Sequence, residues 1–487
     1  MKTKIFNLIA LGLSAAIILS CEDFLDKKPE SQGVAVQNAG SDSLLYKTAD
    51  DVEAALNGVY NDFKNEYFML DMFVNGDAQA DDAYAGADNP ANFQIDDYKI
   101  EATNTNIGRD WAYLYSMIGK ANRVINNVDL VPDPALSQGR KQEIKGEASF
   151  IRAYAHFDLV RLFGDVPVVT QEVRSISASN LEKIYPLLFP ERVSTEAVYT
   201  QIISDLEFAL GTVRTTAPDK GYATVGAVNA LLANVYATIE PHDWNKVKQY
   251  CDAVIAQGYT LLPEYDQLWD NAHENSSESI FEINCYNWDT GGNWGVFMFY
   301  GDDWKKFNIP SNDLVKAFDT EGDEIRKNSS IAFLNVTGKW TDAHWPASNY
   351  PFINKYRDFS GAQNFIIYRL ADILLLKAEA LNELGDVNGA AELVNQIRAR
   401  VDLDPTPAAN QSDMRNAIAK ERRLELAFEG HRWYDLKRTG SAIEIVNAAK
   451  DGNGNSLGYQ LTPEKLVWPI PQSERDKNNK LTQNAGY

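Results

Sequence analysis

Apolar residues recur every three or four positions through most of this chain, which is the spacing of one face of an α-helix. The clearest run is Ile144, Ala148, Ile151, Ala155, Leu159 and Leu162. It predicts a long helix that stops at Gly164, because the glycine is followed by Asp165-Val166-Pro167. The same spacing predicts helices over residues 107–129, 137–164 and 195–213.

The first helix of the body has a recognisable start. Thr48 and Asp51 have the spacing of a capping box, in which each side chain accepts a hydrogen bond from the other residue's backbone N–H. A helix is therefore predicted from this point to about Lys64.

Two later stretches share one pattern. Residues 230–259 and 372–400 each combine a helix with small residues on one face, a tight turn at Asp243 or Asp386, and a second helix. A helix pair of this kind cannot bury its apolar faces alone and has to stack on neighbours. The pattern resembles tetratricopeptide units, although alanine-rich hairpins also occur in unrelated helical bundles.

Residues 260–364 have few helical patterns and are rich in Gly, Asn, Asp, Pro and aromatic residues. Eight of the 24 residues from Phe281 to Trp304 are aromatic, against 11% for the whole chain. The sequence therefore predicts a mainly helical fold with a loop-rich part between the two helix pairs.

The N-terminus reads as an export signal. Lys2 and Lys4 precede the apolar stretch Ile5–Leu19, which is too short for the roughly 20 residues of a membrane-spanning helix. The ending Ile18-Leu19-Ser20-Cys21 resembles a bacterial lipobox. Residues 1–20 are then a cleaved signal, Cys21 is the lipid attachment site and residues 21–47 form a tether. The alternative is an ordinary secretory signal, with Cys21 unmodified.

The net charge and the cysteine content limit the range of possible partners and cofactors. The net charge is −22, and removal of Lys2 and Lys4 with the signal makes it −24, which excludes nucleic acid as a partner. An exported chain meets no pool of ATP or NAD, so no cofactor is expected. Cys251 lies in helical register with apolar neighbours, which indicates a packed thiol, and a bridge to Cys285 remains open.

The aromatic stretch supplies the candidate ligand site. A loop between Trp288 and Trp294 can turn both indoles outward as a platform for sugar rings. The residues predicted to contact ligand here are Tyr286, Trp288, Asn293, Trp294 and Tyr300. Phe281, Phe297 and Phe299 have no polar group and are predicted to be core members. The alternative is an irregular subdomain that uses all these rings as its core.

A second polar loop, residues 76–93, adds three candidates. Asp81 and Asp82 beside Tyr84 have the chemistry to bond sugar hydroxyls. Adjacent aspartates are also common in solvated turns, which is the alternative. A third acidic loop, 451–458, begins like a calcium loop but has Ser456 where glycine is needed and is predicted to be a simple turn.

The segment KERRLELAFEGHRWYDLKRTG, residues 420–440, places Glu421 on the apolar stripe of a helix. A buried carboxylate needs partners, and a structural ion-pair network is predicted. The partners expected from sequence proximity are Arg422, Arg423, Arg432 and Lys437.

This segment resembles the hallmark of the SusD/RagB family of outer-membrane lipoproteins in Bacteroidetes. Blocks 150–170, 368–386 and 466–487 resemble the same family in the same order, and the acids Glu22 and Asp23 after the lipobox resemble its surface-export signal. The resemblance covers the chain from end to end.

The resemblance implies a mainly α fold, in which tetratricopeptide-like pairs in an α/α superhelix support a loop-rich half with few short strands. The expected divisions are a scaffold over about 48–260 and 365–445, a loop-rich half over about 261–364, and a tail over 446–487, within one domain of 48–487. It also implies a lipid-anchored protein on the cell exterior that captures glycan for a SusC-like TonB-dependent transporter and is not an enzyme. Peptide cargo is the alternative within the family.

A surface glycoside hydrolase is the alternative outside the family. It needs two carboxylates on either side of a glycosidic bond, and Asp81 with Asp82 is the pair that the sequence offers. Neighbours in sequence usually diverge in direction, which argues against this pair.

Overall fold

The computed structural model of the chain describes residues 44–86, 89–288, 291–301 and 306–487. The predicted signal peptide, Cys21 and most of the tether lie outside the described residues. None of the described helices is both long enough and apolar enough to cross a membrane.

Helices dominate the structure. Those of the N-terminal part are α1 (Ala49–Tyr60), α2 (Pro90–Asp96), α3 (Thr105–Asn127), α4 (Gln138–Phe163), α5 (Leu181–Leu188), α6 (Thr195–Leu210), α7 (Val225–Thr238) and α8 (Trp244–Ile255). Those that follow are α9 (Val296–Phe299), α10 (Asn312–Glu321), α11 (Glu324–Ser330), α12 (Leu370–Glu383), α13 (Val387–Arg400), α14 (Gln411–Glu425), α15 (Arg432–Arg438), α16 (Ala442–Asn447) and α17 (Gln472–Lys477). Four short 3₁₀ helices are also described: Asn61–Lys64, Val128–Leu130, Tyr265–Trp269 and Pro463–Leu466. Two short π-helices are Tyr67–Asp71 and Val74–Ala78.

The predicted start and stop signals are confirmed. The hydroxyl of Thr48 accepts from the backbone N–H of Asp51 at 3.2 Å, and the Asp51 carboxylate accepts from the N–H of Thr48 at 3.0 Å. The α-helix ends at Tyr60 and continues to Lys64 as a 3₁₀ helix. Gly164 ends α4 with a φ of 73°, a backbone conformation that glycine adopts without strain.

The helices stack in one continuous series. α3 packs on α4, α4 on α6, α6 on α7, α7 on α8, α8 on α12, and α12 on both α13 and α14. Asp243 and Asp386 each cap the second helix of a pair, through the backbone N–H of Lys246 at 3.1 Å and of Gly389 at 2.9 Å. The tetratricopeptide-like pairs are therefore confirmed, and each tight turn is stabilised because the aspartate carboxylate accepts from one of the new helix's first N–H groups.

The described strands form three two-stranded antiparallel sheets. They are β1 (Ala83–Tyr84), β2 (Ser279–Ile283), β3 (Ile309–Pro310), β4 (Ile331–Leu334), β5 (Tyr350–Ile353) and β6 (Phe365–Arg369). β1 pairs with β3, β2 with β6, and β4 with β5. Because β6 continues directly into α12, the β2–β6 sheet joins the loop-rich half, residues 261–364, to the helical scaffold.

The loop-rich half is less irregular than the sequence predicts, because α9, α10 and α11 lie within it. Phe281 of β2 belongs to the main core, with its ring centroid 5.4 Å from those of both Phe63 and Phe150. Cys251 and Cys285 are both buried free thiols, so they do not form a bridge.

A buried ion-pair network joins the two halves of the molecule. We call it the central network; it consists of Glu278, Asp323, Arg326, Lys355, Arg369, Arg398, Arg400, Glu421, Glu425 and Glu429. These ten groups are five cations and five carboxylates, so their formal charges cancel. Their side chains are all at most 9% exposed, and charges buried to this degree require such pairing.

Arg369, the last residue of β6, pairs with three carboxylates of this network. It binds Glu429 through two hydrogen bonds of 2.8 and 2.7 Å, Glu425 at 2.5 Å and Glu278 at 3.1 Å. Burial raises the pKa of Glu429, but Arg369 and Lys355 outweigh burial and lower it to about 2. Glu429 is therefore ionised at neutral pH.

The predicted burial of Glu421 in such a network is confirmed, but its predicted partners are wrong. Glu421 pairs with Arg326 at 2.7 Å and Arg398 at 3.0 Å. Of the four expected cations, Arg422 instead pairs with Asp372 and Asp435. Arg423 pairs with Asp81, Asp82 and Asp313, and Arg432 also pairs with Asp81. Lys437 donates to the backbone carbonyl of Arg161. Residues one or two positions away on a helix project from other faces, so proximity in sequence misleads here.

We expect Glu425→Gln to destabilise the protein by about 3–5 kcal/mol, because it leaves Arg369, Arg400 and Arg326 without their shared counter-charge. Urea unfolding measures this as a shift in midpoint. Burial raises the pKa of Glu425, but Arg400, Arg369 and Arg326 outweigh burial and hold this pKa well below its usual range. Glu425 is therefore charged at both pH 5 and pH 8, and the loss should be equal at the two pH values.

The matched control is Glu383→Gln. Glu383 pairs with Arg415, whose side chain is half exposed, and such a pair contributes at most about 1 kcal/mol. Equal losses for the two variants would contradict the special role of the central network.

A close backbone contact also ties the N-terminal loop to the C-terminal part. A Cβ at Gly76 would lie 2.2 Å from the carbonyl oxygen of Gly430, so only glycine fits there. The backbone N–H of Gly430 also donates to the Asp77 carboxylate at 3.2 Å. The loop that carries Tyr84 is therefore positioned against the turn after α14.

We expect Gly76→Ala to destabilise the fold by about 1–3 kcal/mol or more, since the neighbouring atoms are backbone and cannot rotate away. Gly119→Ala in α3 is the control, because a Cβ there meets nothing within 4 Å. The control should be neutral or stabilising by up to about 1 kcal/mol. Thermal and urea unfolding of both variants test this, and an unchanged Gly76→Ala protein would contradict the contact.

Candidate functional site

Three large aromatic side chains stand out on the surface of the loop-rich half. Trp288, Phe297 and Phe359 are 44%, 42% and 43% exposed. The ring centroids of Trp288 and Phe297 are 5.4 Å apart, and those of Phe297 and Phe359 are 5.2 Å apart. We call these three residues the aromatic ridge. An exposed apolar row of this kind is typical of a binding surface.

The ridge is held in place from below. The Trp288 Nε1–H donates to the carbonyl oxygen of Phe359 at 3.1 Å. The indole also lies directly over Gly361, where a Cβ would be 2.9 Å from Cε2 of the ring, and Gly361 has a φ of 80°. The exposed indole is therefore fixed by its neighbours although one face meets solvent.

Hydrogen bonds connect the ridge to the central network. The carbonyl of Lys355 accepts from the side chain of Gln363 at 2.6 Å. The carbonyl of Gln363 in turn accepts from the Asn293 side chain at 2.9 Å, and the Asn293 N–H donates to Gly361 at 2.8 Å. The two loops that build the ridge are thus joined to each other and to the core.

The five residues of the aromatic stretch that are predicted to contact ligand differ in how far they are exposed. Trp288 and Tyr286 are exposed, and the ammonium of Lys64 lies 4.7 Å from the Tyr286 ring centroid. Trp294 is half-buried against the core, and Tyr300 is half-buried with its ring 5.6 Å from that of Phe359. Asn293 is fully buried, and its amide joins loops, so its predicted contact with ligand is wrong.

Two of the three predicted core phenylalanines are confirmed. Phe281 and Phe299 are buried, whereas Phe297 is exposed and lies at the centre of the aromatic ridge. α9 is a single helical turn, so Phe297 and Phe299 project to different sides of it. The absence of a polar group did not decide the burial of Phe297.

Asp81 and Asp82 are not available for a ligand, which corrects the sequence prediction. Arg432 binds both oxygens of Asp81, at 2.7 and 2.9 Å, and Arg423 binds Asp82 at 2.7 Å. Burial raises the pKa of Asp81, but Arg423 and Arg432 outweigh it and hold this pKa well below its usual range. Both carboxylates are buried structural groups, which also removes them as a hydrolytic pair.

Tyr84 is buried and lines a separate cleft. Its hydroxyl donates to the Asp342 carboxylate at 3.1 Å and lies 3.3 Å from the hydroxyl of Tyr350. Its ring centroid is 4.4 Å from that of His344. Tyr84 is only 6% exposed, so little of its side chain is open to a ligand.

The cleft has a volume of about 340 Å³. We call it the Trp340 cleft, after the 46% exposed indole at its rim. Phe93 is the second exposed ring of the rim, and Asp97 and His344 add polar groups to the wall. Asp96 lies in the wall as well, and burial raises its pKa to about 7.

Aromatic contacts make the ridge and the cleft parts of one wall. Tyr300 contacts Phe359 of the ridge and Phe352 of β5, at 5.6 Å in each case. Phe352 contacts Tyr350 at 5.4 Å, and the hydroxyl of Tyr350 lies 3.3 Å from that of Tyr84, which lines the cleft. The ridge and the cleft are therefore connected by a series of rings in contact with one another.

Sequence reasoning missed Phe359 and Trp340. Both lie outside the aromatic-rich stretch that drew attention to residues 281–304. The turn signal Asp358-Phe359-Ser360-Gly361 was the available clue, since a ring between turn residues tends to face solvent. In the same way the loop 451–458, predicted to be a turn, is one: Asp451 accepts from the N–H groups of Asn453 and Asn455 at 2.9 and 2.8 Å.

Comparison with known sequences identifies the family. The profile of the SusD family matches residues 219–487, more than half of the chain. A second profile, described as starch-binding and associating with the outer membrane, matches residues 23–237. The chain therefore belongs to the SusD family, as its motifs predicted.

Full-length relatives agree. SusD-like protein P2 of Formosa agariphila is 27% identical, with 91% of this chain and 94% of the relative covered. A SusD-like protein of Bacteroides ovatus is 25% identical, with 90% of this chain and 82% of the relative covered.

Solved structures show the same fold. A laminarin binding SusD-like protein is 26% identical with a TM-score of 0.73, covering 91% of this chain and 100% of its own. A SusD superfamily protein of Bacteroides thetaiotaomicron is 26% identical with a TM-score of 0.74, covering 90% and 99%. Surface glycan-binding protein A of Bacteroides fluxus has a TM-score of 0.75 at 23% identity, covers 91% and 100%, and supports the fold alone.

Proposed function

We propose that this protein is a cell-surface lipoprotein that binds a glycan on its aromatic ridge and passes it to a partner TonB-dependent transporter of the SusC type. The lipid is attached at Cys21, and the protein faces the exterior from the outer membrane. It binds its cargo and does not cleave it.

The aromatic ridge is the observation that carries this proposal. Three rings about one sugar unit apart are exposed although burying each would be worth a few kcal/mol. The Trp288 indole is nevertheless hydrogen-bonded and packed on Gly361, so it is exposed in one fixed orientation. A ligand with flat apolar faces gains contact without paying to order these rings. Sugar rings have such faces on their C–H sides.

The energetics suit capture and release. Stacked rings contribute about 0.5–1.5 kcal/mol each, so three of them give a few kcal/mol, near the roughly −4.1 kcal/mol of a millimolar complex. Engagement of several ridges along one polymer raises the apparent affinity on a cell surface. Weak single contacts let the ligand move on to the transporter.

Family membership supports the glycan assignment. One matched profile is described as starch-binding, and one solved relative as laminarin binding. The two other candidates have less support. A hydrolase would need Asp81 and Asp82 as its carboxylate pair, but these are bound by Arg432 and Arg423. A peptide would need hydrogen-bond partners for its backbone groups, which the apolar ridge does not offer.

We expect Trp288→Ala to weaken glycan binding by about 1 kcal/mol, roughly fivefold in Kd, and Trp288→Ala with Phe359→Ala to weaken it about 25-fold. Native gels containing glycan and calorimetry measure the binding, with laminarin and starch first in a panel of polysaccharides. Release of reducing ends from the same panel should stay at background.

The matched control is Tyr185→Ala, which removes an equally exposed ring outside the ridge and the cleft. On native gels containing glycan, this variant should be retarded as much as the wild type. The proposal is contradicted if the ridge variants bind like the wild type, or if the wild type binds none of the panel but binds peptides.

The lipid anchor has its own test. We expect mass spectrometry of the mature protein to show an acylated Cys21 as first residue, and Cys21→Ala to move the protein out of the outer-membrane fraction. Cys251→Ala, which removes a buried thiol, is the control and should stay with the membrane. An unacylated terminus would contradict the anchor while leaving glycan binding intact.

A further inference from the structure

A second group of exposed apolar side chains belongs neither to the aromatic ridge nor to the Trp340 cleft. Its five members are each between 39% and 54% exposed: Leu44, Leu130, Ile176, Leu181 and Tyr185. They come from three parts of the chain, which are the first described residues, the 3₁₀ helix after α3, and the loop between α4 and α6. We call these five residues the exit patch.

Contacts bring the three parts together at the point where the described residues begin. Asp133, just after the 3₁₀ helix, accepts from the backbone N–H of Ala49 at 2.9 Å. Asn127, just before that helix, donates to the Glu172 carboxylate at 2.8 Å. Burial raises the pKa of Tyr46 to about 12, and the nearby charge of Glu172 contributes. The exit patch therefore surrounds the start of the described chain, and grouped apolar side chains of this kind mark a contact surface.

The loop between α4 and α6 carries an apolar helix face that has no partner. The N–H of Val193 donates to the carbonyl of Val166 at 3.1 Å, so residues 167–192 form one closed loop that contains α5. Of the residues of α5, all of which the structure describes, only Ile184 is buried. The spacing of one apolar face nevertheless occurs along this helix, at Leu181, Ile184, Tyr185 and Leu188.

The predicted lipid attachment site is close to this surface along the chain. Twenty-two residues separate Cys21 from Leu44. A flexible tether of that length spans about 23–28 Å on average. This is about half the width of a folded domain of this size, which is roughly 55 Å across. The surface around Leu44 is therefore the part of the body that lies nearest to the lipid.

The charge of the loop also fits a lipid surface. Residues 167–192 contain three acidic and three basic side chains, so their formal charge is zero, whereas the whole chain carries −22. Phosphate head groups repel an acidic protein, and this loop is exempt from that repulsion. Lys183 lies between the exposed Leu181 and Tyr185 in sequence, and lysine and tyrosine beside leucine are typical of helices that lie in a bilayer interface. A fluid bilayer also adapts to side chains from three separate segments, whereas a protein partner has to match their shape.

We propose that the exit patch contacts the lipid surface and holds the protein in one orientation on the membrane that carries its anchor. The inference rests on the lipid anchor of the proposed function and goes beyond it, because an anchor alone leaves the body free to rotate. So small an apolar face orients the protein and does not by itself anchor it.

This orientation keeps the ligand surface accessible. α1 and its 3₁₀ extension to Lys64 are together about 25 Å long. The exit patch lies at the start of α1, and the Lys64 ammonium at the other end is 4.7 Å from the ring centroid of Tyr286, two residues before Trp288 of the ridge. A membrane contact at the exit patch therefore leaves the ridge free.

Thiol labelling gives the first test. Leu181→Cys, labelled with an environment-sensitive fluorophore, is prepared as acylated protein in phosphatidylcholine vesicles. We expect at least a twofold rise in emission over the same variant made unacylated by Cys21→Ala and kept without vesicles, and quenching of that emission by brominated phosphatidylcholine. Cys251 and Cys285 are buried, so their labelling should stay at background.

The matched control for the label is Leu384→Cys. Leu384 is 43% exposed, close to the exposure of Leu181, and follows α12, which α4, α6, α7 and α8 separate from α3 in the helix series. Emission from a label at this position should be the same with and without vesicles.

Sedimentation with phosphatidylcholine vesicles at millimolar lipid tests the exit patch without the anchor. In unacylated Cys21→Ala protein, we expect the vesicle-bound fraction to fall at least threefold when three side chains are replaced together: Ile176→Ser, Leu181→Ser and Tyr185→Ser. The matched control replaces two exposed residues outside the patch, Ile325→Ser and Leu384→Ser, and should not change this fraction. Cooperative unfolding of each variant confirms that it folds.

The proposal is overturned if the label at position 181 emits on vesicles as it does in water, or if the triple variant sediments like its parent. It is also overturned if the label is already shielded without vesicles. Shielding that rises with protein concentration then indicates a second copy, and shielding that does not indicates the chain before Leu44. Shielding that appears only with the transporter indicates a protein interface instead. An unacylated mature terminus contradicts the anchor of the proposed function, and the sedimentation test still decides the exit patch.

Discussion

The pairing of buried charge in the central network is the constraint on which the rest of this structure depends. An ionised group removed from water costs several kcal/mol unless a partner of opposite charge meets it. Arg369 at the end of β6 meets Glu425 and Glu429 of the scaffold side and Glu278 before β2. The loop-rich half therefore has one position on the helices, since any displacement would leave several charges unpaired at once.

The central network also holds the aromatic ridge, the surface proposed for binding, in a defined position. Lys355 belongs to the central network, and its carbonyl starts the hydrogen-bonded series through Gln363 and Asn293 to the loops of the aromatic ridge. The exposed rings are thus ordered before a ligand arrives, and the entropy of ordering them does not oppose binding. Irregular loops can present a defined surface here because their backbone groups are satisfied from inside the protein.

Local signals were reliable wherever one helix or one turn decided the outcome. The capping box at Thr48, the stop at Gly164 and the tight turns at Asp243 and Asp386 all formed as predicted, because their partners lie within four residues. Residue chemistry alone was a poor guide to burial. Phe297 is exposed, Asn293 is buried, and Asp81 and Asp82 are held by arginines about 340 residues away in sequence.

The sequence by itself determined the helical periods, the paired-helix scaffold, the loop-rich insertion and the family, because these follow from spacing along the chain. It also placed Trp288 and Tyr286 on the surface. Only the tertiary structure decided which carboxylate meets which arginine and which rings form the aromatic ridge and the Trp340 cleft. Those contacts join residues far apart in sequence, and their geometry exists only after the loops have packed against the buried charges of the core.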